Sequence, residues 1–226
     1  MTKRLYVVGL VLVAVVLALS VGPTVASAAF DLQVTEIWPG NDPGSNLTED
    51  WFKVTNVGDA AWSAVLDGDL YFDDNSESAA DADLMEGVAS IASGESVVFV
   101  DGGASGAAEW STVWGDVVVL PQVGYYDGAG LGQGGDGVAL FIDVAGVLTE
   151  IDYEAYPDAS SDGGQSWDVA LQSFSTVGNA SGAVATLALN DENQPAIGSP
   201  GPALVPEPGS IVLLLLGVAG LAACRR

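Results

Sequence analysis

The chain has no histidine, one cysteine and five basic residues against 30 acidic ones. Each scarcity removes a class of function. Without histidine, and with Cys224 inside a C-terminal apolar run, neither a Ser-His-Asp nor a Cys-His nucleophilic constellation can be assembled. A lone cysteine forms no intramolecular disulfide, so the body of the chain depends on burial and backbone pairing. Four of the basic residues, Lys3, Arg4, Arg225 and Arg226, sit at the two ends, which leaves Lys53 as the one base between them. Phosphate backbones are held by Lys and Arg that displace counterions, so nucleic acid is excluded as a partner.

The two ends read as processing signals. Lys3 and Arg4 precede the apolar run Leu5–Leu19, and Ala26-Ser27-Ala28 supplies small residues, which predicts a signal peptide over 1–28. Signal peptidase, reading Ala26 and Ala28, would leave Ala29 as the first residue; cleavage one position later fits the pattern as well. At the other end, Val205-Pro206-Glu207-Pro208-Gly209-Ser210 is followed by an uncharged run from Ile211 to Cys224 and then Arg225-Arg226. Pro206 and Pro208 fix φ and keep their predecessors extended, which predicts an accessible segment. As a helix the apolar run reaches only about 21 Å, against a hydrocarbon core of about 30 Å, and Arg225 and Arg226 hold its end in the cytoplasm.

This order of parts resembles the PEP-CTERM sorting signal of exported bacterial proteins over residues 204–226. The resemblance implies that an exosortase in the cytoplasmic membrane recognises Pro206, Glu207 and Pro208 and removes the helix and its Arg225-Arg226 end. An ordinary C-terminal membrane anchor is the plainer alternative, but it has no need of Pro-Glu-Pro. The domain plan is a signal peptide at 1–28, a folded domain at 29–202, a Pro-rich linker at 203–210, and a hydrophobic sorting helix with a basic tail at 211–226.

Between the signals, 29 acids face a single base. Such a field keeps a protein soluble, costs it self-repulsion and attracts cations. The apolar segments are short, rich in Val, Ile, Phe, Tyr and Trp, and punctuated by Gly, Asp, Asn and Ser, which predicts an all-β antiparallel sandwich. Phe30, Leu32 and Val34 alternate along a first strand. In Asp50–Asn56, Phe52 and Val54 share one face while Trp51, Lys53 and Thr55 share the other. Ala64–Phe72 predicts a third strand. Val97–Val100 is a continuous apolar run, Gly102–Gly106 a loop, and Trp110–Leu120 and Val123–Tyr126 further strands; no helical window stands out. The clearest hairpin pairs Gly137–Asp143 with Val147–Tyr153, placing Val147, Thr149, Ile151 and Tyr153 on one face. Ser166–Ala170 and Ala185–Leu189 are short strands, and the prolines from Asn190 to Val205 read as a linker.

Leu32-Gln33-Val34-Thr35-Glu36-Ile37, Asp50–Asp59, Ile91–Phe99, Asp136–Phe141 and Ile151-Asp152-Tyr153, taken in that order, resemble successive strands of the lamin tail domain. The resemblance extends over about 30–202 when Gly163–Trp167 and Gly198–Gly201 are included. It implies an immunoglobulin-like antiparallel β-sandwich. Lys53 stands where that family commonly has a glutamate, and Asp73–Glu86 has the form of an acidic insertion.

Carboxylate pairs can hydrolyse glycosides, but among 29 acids spacing nominates none, and the chain reads as a non-enzyme. Asp73, Asp74, Asn75, Glu77, Asp81 and Asp83 crowd hard oxygen ligands into one loop and are the candidate Ca²⁺ ligands, beside the alternative of a solvated acidic loop. The six tryptophans suit either core packing or sugar stacking. Trp51, opposite Phe52 and Val54, is the one expected at a surface as a ligand contact. The functional expectation is an exported protein, anchored in the membrane during sorting and then displayed at the cell surface or in extracellular matrix, in biofilm or exopolysaccharide-associated material. The alternative is a carbohydrate- or partner-binding surface module, Ca²⁺-dependent if the acidic loop binds, with extracellular polysaccharide as its partner.

Overall fold

The computed structural model describes residues 28–40, 47–160 and 164–202. Ala26, Pro206, Glu207, Pro208, Arg225 and Arg226, and with them the signal peptide and the C-terminal apolar run, lie outside the described residues. Ala28 is the exposed first described residue. No described helix is long and apolar enough to cross a membrane.

Fourteen strands and two helices form the described structure. In chain order they are β1 (Leu32–Trp38), β2 (Trp51–Asn56), β3 (Trp62–Ser63), α1 (Ala64–Asp67), β4 (Leu70–Asp73), β5 (Asp83–Leu84), β6 (Ser90–Ile91) and β7 (Ser96–Val100). There follow α2 (Gly103–Trp114), β8 (Gln122–Tyr125), β9 (Asp136–Val144), β10 (Val147–Tyr156), β11 (Trp167–Asp168), β12 (Ser173–Phe174), β13 (Val184–Ala185) and β14 (Ile197–Gly198). The main sheet has the order β12-β11-β1-β2-β7-β8, antiparallel except for β7 beside β8. A second sheet, β10-β9-β4-β5, lies over it. The two enclose a core built on Leu32, Val34, Phe52, Val54, Phe72 and Phe99, to which Val138, Leu140 and Tyr126 also belong. The structure is thus mostly β, with two packed sheets, as the short apolar segments predict.

The far face of the main sheet is buried as well, and this departs from the expectation of a solvent face. Trp38, Trp51, Val98 and Val100 pack beneath Ala107, Trp110 and Trp114 of α2. Every residue of β2 is therefore buried. The helix replaces the expected loop at Gly102–Gly106 and the expected strand at Trp110. Its glycines hide it from a propensity reading, yet Ala107, Trp110 and Trp114 recur at i, i+3 and i+7, the spacing of one helical face.

Two bulges reset the alternation. Between β1 and β2 the register passes from Val34↔Val54 to Glu36↔Lys53, so Thr35 is the extra residue. Strict alternation would send Glu36 into the core with Leu32 and Val34; the bulge turns it to the side of Lys53. Val34 N–H, at this irregularity, donates to Asp152 Oδ2 at 2.6 Å. In β10 the register skips Ile151, and Val147 ends up 64% exposed rather than in the core. The hairpin itself forms as expected, with a tight turn at Ala145-Gly146 at φ 56° and 84°.

Two further expectations are corrected. Ala64–Phe72 is a helical turn followed by a strand. The segment from Asn190 is not a free linker as far as Ser199: β14 pairs with β13, Ala196 is fully buried and Ser199 is 7% exposed. Its last residues are drawn onto the main sheet by polar contacts at Glu36 and Lys53.

Candidate functional site

The one base of the domain is spent inside it. Lys53 Nζ lies 2.8 Å from Glu36 Oε2, with side-chain exposures of 7% and 1%. Removing two charges from water is costly, and the cost is offset only where the remaining donors and lone pairs are engaged. Here they are. Glu36 Oε1 accepts from Ser166 Oγ and from Ser199 N–H, each at 2.6 Å, and Oε2 accepts from Ser199 Oγ at 2.9 Å. Lys53 Nζ donates to Ser199 O at 2.6 Å. Lys53 thus has its counterpart in Glu36 on the neighbouring strand.

Beside this pair is a cavity of about 530 Å³ on the same face of the main sheet. Its floor is Thr35, Lys53 and Thr55; its sides are Asp168 of β11 and Ala170 just after it, the turn Ala180–Gly182, and Ser199, Gly201 and Pro202 following β14. Val57 and Val118 supply apolar wall. The Thr35 and Thr55 hydroxyls are 2.9 Å apart, and Thr55 Oγ1 lies 2.8 Å from Ser96 Oγ. Asp168 is 2% exposed; its Oδ1 accepts from Leu171 N–H at 3.0 Å, while Oδ2 has no hydrogen-bond partner. Sequence reasoning missed this place. Its residues come from six separate stretches, and only the unusual position of Lys53 signalled it.

The expected Ca²⁺ ligands are distributed otherwise. Asp73, 3% exposed, accepts through Oδ2 from Ser76 Oγ at 2.7 Å and Ser78 N–H at 2.6 Å. Asp74 Oδ1 accepts from Ser76 N–H, and Asp81 Oδ2 from Ser78 Oγ. Asn75 N–H donates to Asp136, Glu77 is exposed at φ 50°, and Asp83 Oδ2 accepts from Ala129 N–H at 3.1 Å. Among the described residues no three acidic side chains converge to hold a metal ion. Asp73 Oδ2, Asp74 Oδ1 and Asp81 Oδ2 are engaged by the loop's own serines.

A second acidic group has a clear structural task. The glycine-rich stretch Asp127–Asp136 gives its amides to carboxylates from elsewhere in the chain: Ala129 to Asp83 and Leu131 to Asp50. Gly132 N–H donates to Asp136 at 2.6 Å. A Cβ on Gly128 would fall 1.6 Å from Asp83 Oδ2, so only glycine allows that approach. Burial, reinforced by Asp101, Glu49 and Asp136, pushes the Asp50 carboxyl up to about 7, against the opposing pull of Leu131 N–H. Burial likewise raises Asp101 and the phenol of Tyr126, whose hydroxyl lacks a partner.

Trp51 is not a surface ligand contact: its exposure is 0%, and all six tryptophans are buried. It stacks on Trp38 at 6.4 Å and meets Trp110 and Trp114 edge to face at 5.9 and 5.7 Å. Alternation was correct in setting Trp51 opposite Phe52; α2 covers the face that alternation left to solvent.

With the geometry in place, comparison with known proteins identifies one feature. Residues 204–226 match the PEP-CTERM protein-sorting motif. The motif carries export and membrane-anchored sorting, with an exosortase as the processing enzyme. No curated protein and no solved structure matches the chain.

Proposed function

We propose that the chain is an exported, non-enzymatic surface protein whose β domain is delivered through its PEP-CTERM tail and displayed at the cell surface or in extracellular matrix. The observation that carries this reading is the match at 204–226, in which Pro-Glu-Pro, a short apolar run and a basic end follow one another. Cleavage by signal peptidase at Ala28 and by the exosortase near Pro206-Glu207-Pro208 releases the domain from both membrane segments. The lamin-tail-like sandwich is its fold in this reading, supported by the two packed sheets and the order of its strand motifs. A role in biofilm or exopolysaccharide-associated material fits a soluble body with 29 acids and one base. Display rather than catalysis suits a domain whose buried and half-buried carboxylates receive backbone amides, as Asp73, Asp50 and Asp83 do.

Intact-mass measurement of the surface-extracted protein tests the proposal, comparing a host with an exosortase and the same host lacking it. The expected mass lacks both the signal peptide and residues 209–226 when the exosortase is present, and retains the tail when it is absent. A mass that keeps the tail in both hosts rejects exosortase sorting.

A further inference from the structure

Both ends of the described chain leave the sandwich at one end. β1 begins there and β2 finishes there, with Leu32 opposite Asn56, and Ala29 O accepts from Asp59 N–H and Ala60 N–H just beyond β2. β7 and its parallel neighbour β8 also start there, and Gly201 lies against Val118 and Val119 in the segment that leads into β8. Asn56 Nδ2 donates to Ala60 O and Ile91 O, and Ala64 N–H to Ala89 O, which brings β3, β6 and α1 to the same place. The β9–β10 turn completes it: Asp143 N–H donates to Asp69 O at 2.9 Å, and a Cβ on Gly68, directly after α1, would fall 1.8 Å from Asp143 O. These turns carry apolar side chains in water. Val65 and Leu66 are 89% and 84% exposed on a helical turn that buries none of its residues, Val119 is 79% exposed, and Val144 and Val147 flank the hairpin turn more than half exposed. Apolar residues scattered singly over a surface need no explanation, whereas several gathered on one end mark a contact site. The opposite end differs in kind. Glu49, Asp50, Asp101 and Asp136 meet there, and the loops 47–50, 101–102 and 126–135 expose no large apolar side chain.

We propose that this end docks on a zwitterionic bilayer surface, with Val65, Leu66 and Val119 entering the headgroup region, while the C-terminal run holds the chain in the membrane. The inference rests on the anchored stage of the proposed sorting. Only residues 203–210 separate Pro202 from the apolar run at Ile211, and fully extended they reach about 28 Å, so the end that carries Pro202 stays beside the bilayer. A short tether raises the effective concentration to about the millimolar range, so a few shallowly inserted side chains suffice where they would not hold a free protein. Charge selects the lipid. Asp59, Asp67 and Asp143 stand at the same end and the domain's one base is engaged with Glu36, so an anionic leaflet repels this end while the ammonium of a zwitterionic headgroup does not. A second copy fits less well, because pairing would face those carboxylates, and 29 acids on each domain, against one another. In the docked orientation the acidic end points away from the membrane. The chain on both sides of the domain, with Ala28 and Pro206-Glu207-Pro208, is then held where membrane enzymes cut.

Depth-dependent quenching on the full chain tests the docking. Single cysteines are introduced in a Cys224→Ser background, labelled with an environment-sensitive fluorophore, and reconstituted in phosphatidylcholine vesicles whose lipids carry a nitroxide just below the headgroup. Labels on Leu66→Cys and Val119→Cys should be quenched about twofold or more over a label on Ser105→Cys, which is exposed near the opposite end. Val65→Asp with Leu66→Asp, both at exposed positions that leave the core intact, should bring the Val119→Cys label down to the Ser105→Cys level. Adding phosphatidylglycerol should weaken the quenching. A label on the native Cys224 reports the anchor separately. If Cys224 is unquenched, the anchored stage itself fails and the docking falls with it; if Cys224 is quenched while Leu66→Cys and Val119→Cys match Ser105→Cys, the docking alone is overturned. Quenching of Val119→Cys that survives the double substitution, or an apolar environment at Leu66→Cys without nitroxide quenching, as a second copy would give, also overturns it.

Discussion

Glu36 and Lys53 face each other across β1 and β2 at 2.8 Å, and the residue that completes their shell, Ser199, stands 146 positions beyond Lys53. The pair ties the last described segment to the centre of the main sheet. Lys53→Met removes the cation but leaves a carboxylate 1% exposed. The expected loss is about 3–5 kcal/mol, since breaking a buried pair strands the other charge. Glu36→Gln added to Lys53→Met removes that stranded charge and should recover part of the loss. Urea denaturation of wild type, single and double variants measures both; equal losses in the single and double variants would contradict this account.

Asp50 gives the domain an inverted pH response. Its carboxyl titrates near 7 in the folded state, above an unfolded value of about 3.9, and burial is the largest cause. Between those values the folded chain binds the extra proton, so this group's contribution falls as pH rises from about 4 to 7 and is level above it. Asp101 and Asp152, also raised by burial, act in the same direction. Asp50→Asn keeps an oxygen for Leu131 N–H and removes the charge. It should gain about 1–3 kcal/mol at pH 8, an amount reduced for partial solvent screening, and little at pH 4. Thermal melts across that range read the difference; a variant that tracks wild type at every pH would refute the assignment to Asp50.

How much of this was legible in the sequence depended on where period-two alternation survived. The β9–β10 hairpin and the opposition of Trp51 to Phe52 follow directly from it, while the buried run at Val97–Val100 follows from its unbroken apolar residues. The extra residues Thr35 and Ile151 did not show, because a bulge changes which face a residue joins without changing composition. Glu36 therefore read as one more acid, not as the partner of Lys53. The helix α2 was obscured by its glycines, and its absence from the reading left Trp51 uncovered. The cavity was the least accessible feature, since Thr35, Lys53, Asp168 and Ser199 meet only after the two bulged sheets and the strap of residues 183–199 are assembled.

The tryptophan cluster beneath α2 should dominate the packing of that face. Trp114 has 0% exposure and meets Trp51 edge to face at 5.7 Å. The indole N–H groups of Trp38, Trp51, Trp110 and Trp114 have no hydrogen-bond acceptor, so their contribution comes from ring contacts and burial. Trp114→Ala should cost about 3–5 kcal/mol, and Trp114→Phe clearly less. Guanidinium unfolding followed by far-UV circular dichroism separates the two. A loss below about 1 kcal/mol for Trp114→Ala would mean that the helix does not depend on the cluster.

The beginning of the described chain bears on where the signal peptide is cut. Ala29 N lies 2.7 Å from Asp59 Oδ1, and Ala29 O accepts from Asp59 N–H and Ala60 N–H at 3.0 and 3.2 Å. Cleavage after Ala28 turns that amide nitrogen into an ammonium already beside a carboxylate, adding a second positive charge to a domain whose one other base is Lys53. Cleavage after Ala29 removes the contact altogether. The expected first residue of the mature protein is therefore Ala29, and N-terminal sequencing that begins at Phe30 would count against it. In the mature protein Asp59→Asn should cost up to about 1 kcal/mol at low salt and less at high salt, because both partners are exposed. In the uncleaved chain, where the nitrogen is a neutral amide, the same substitution should show no such salt dependence.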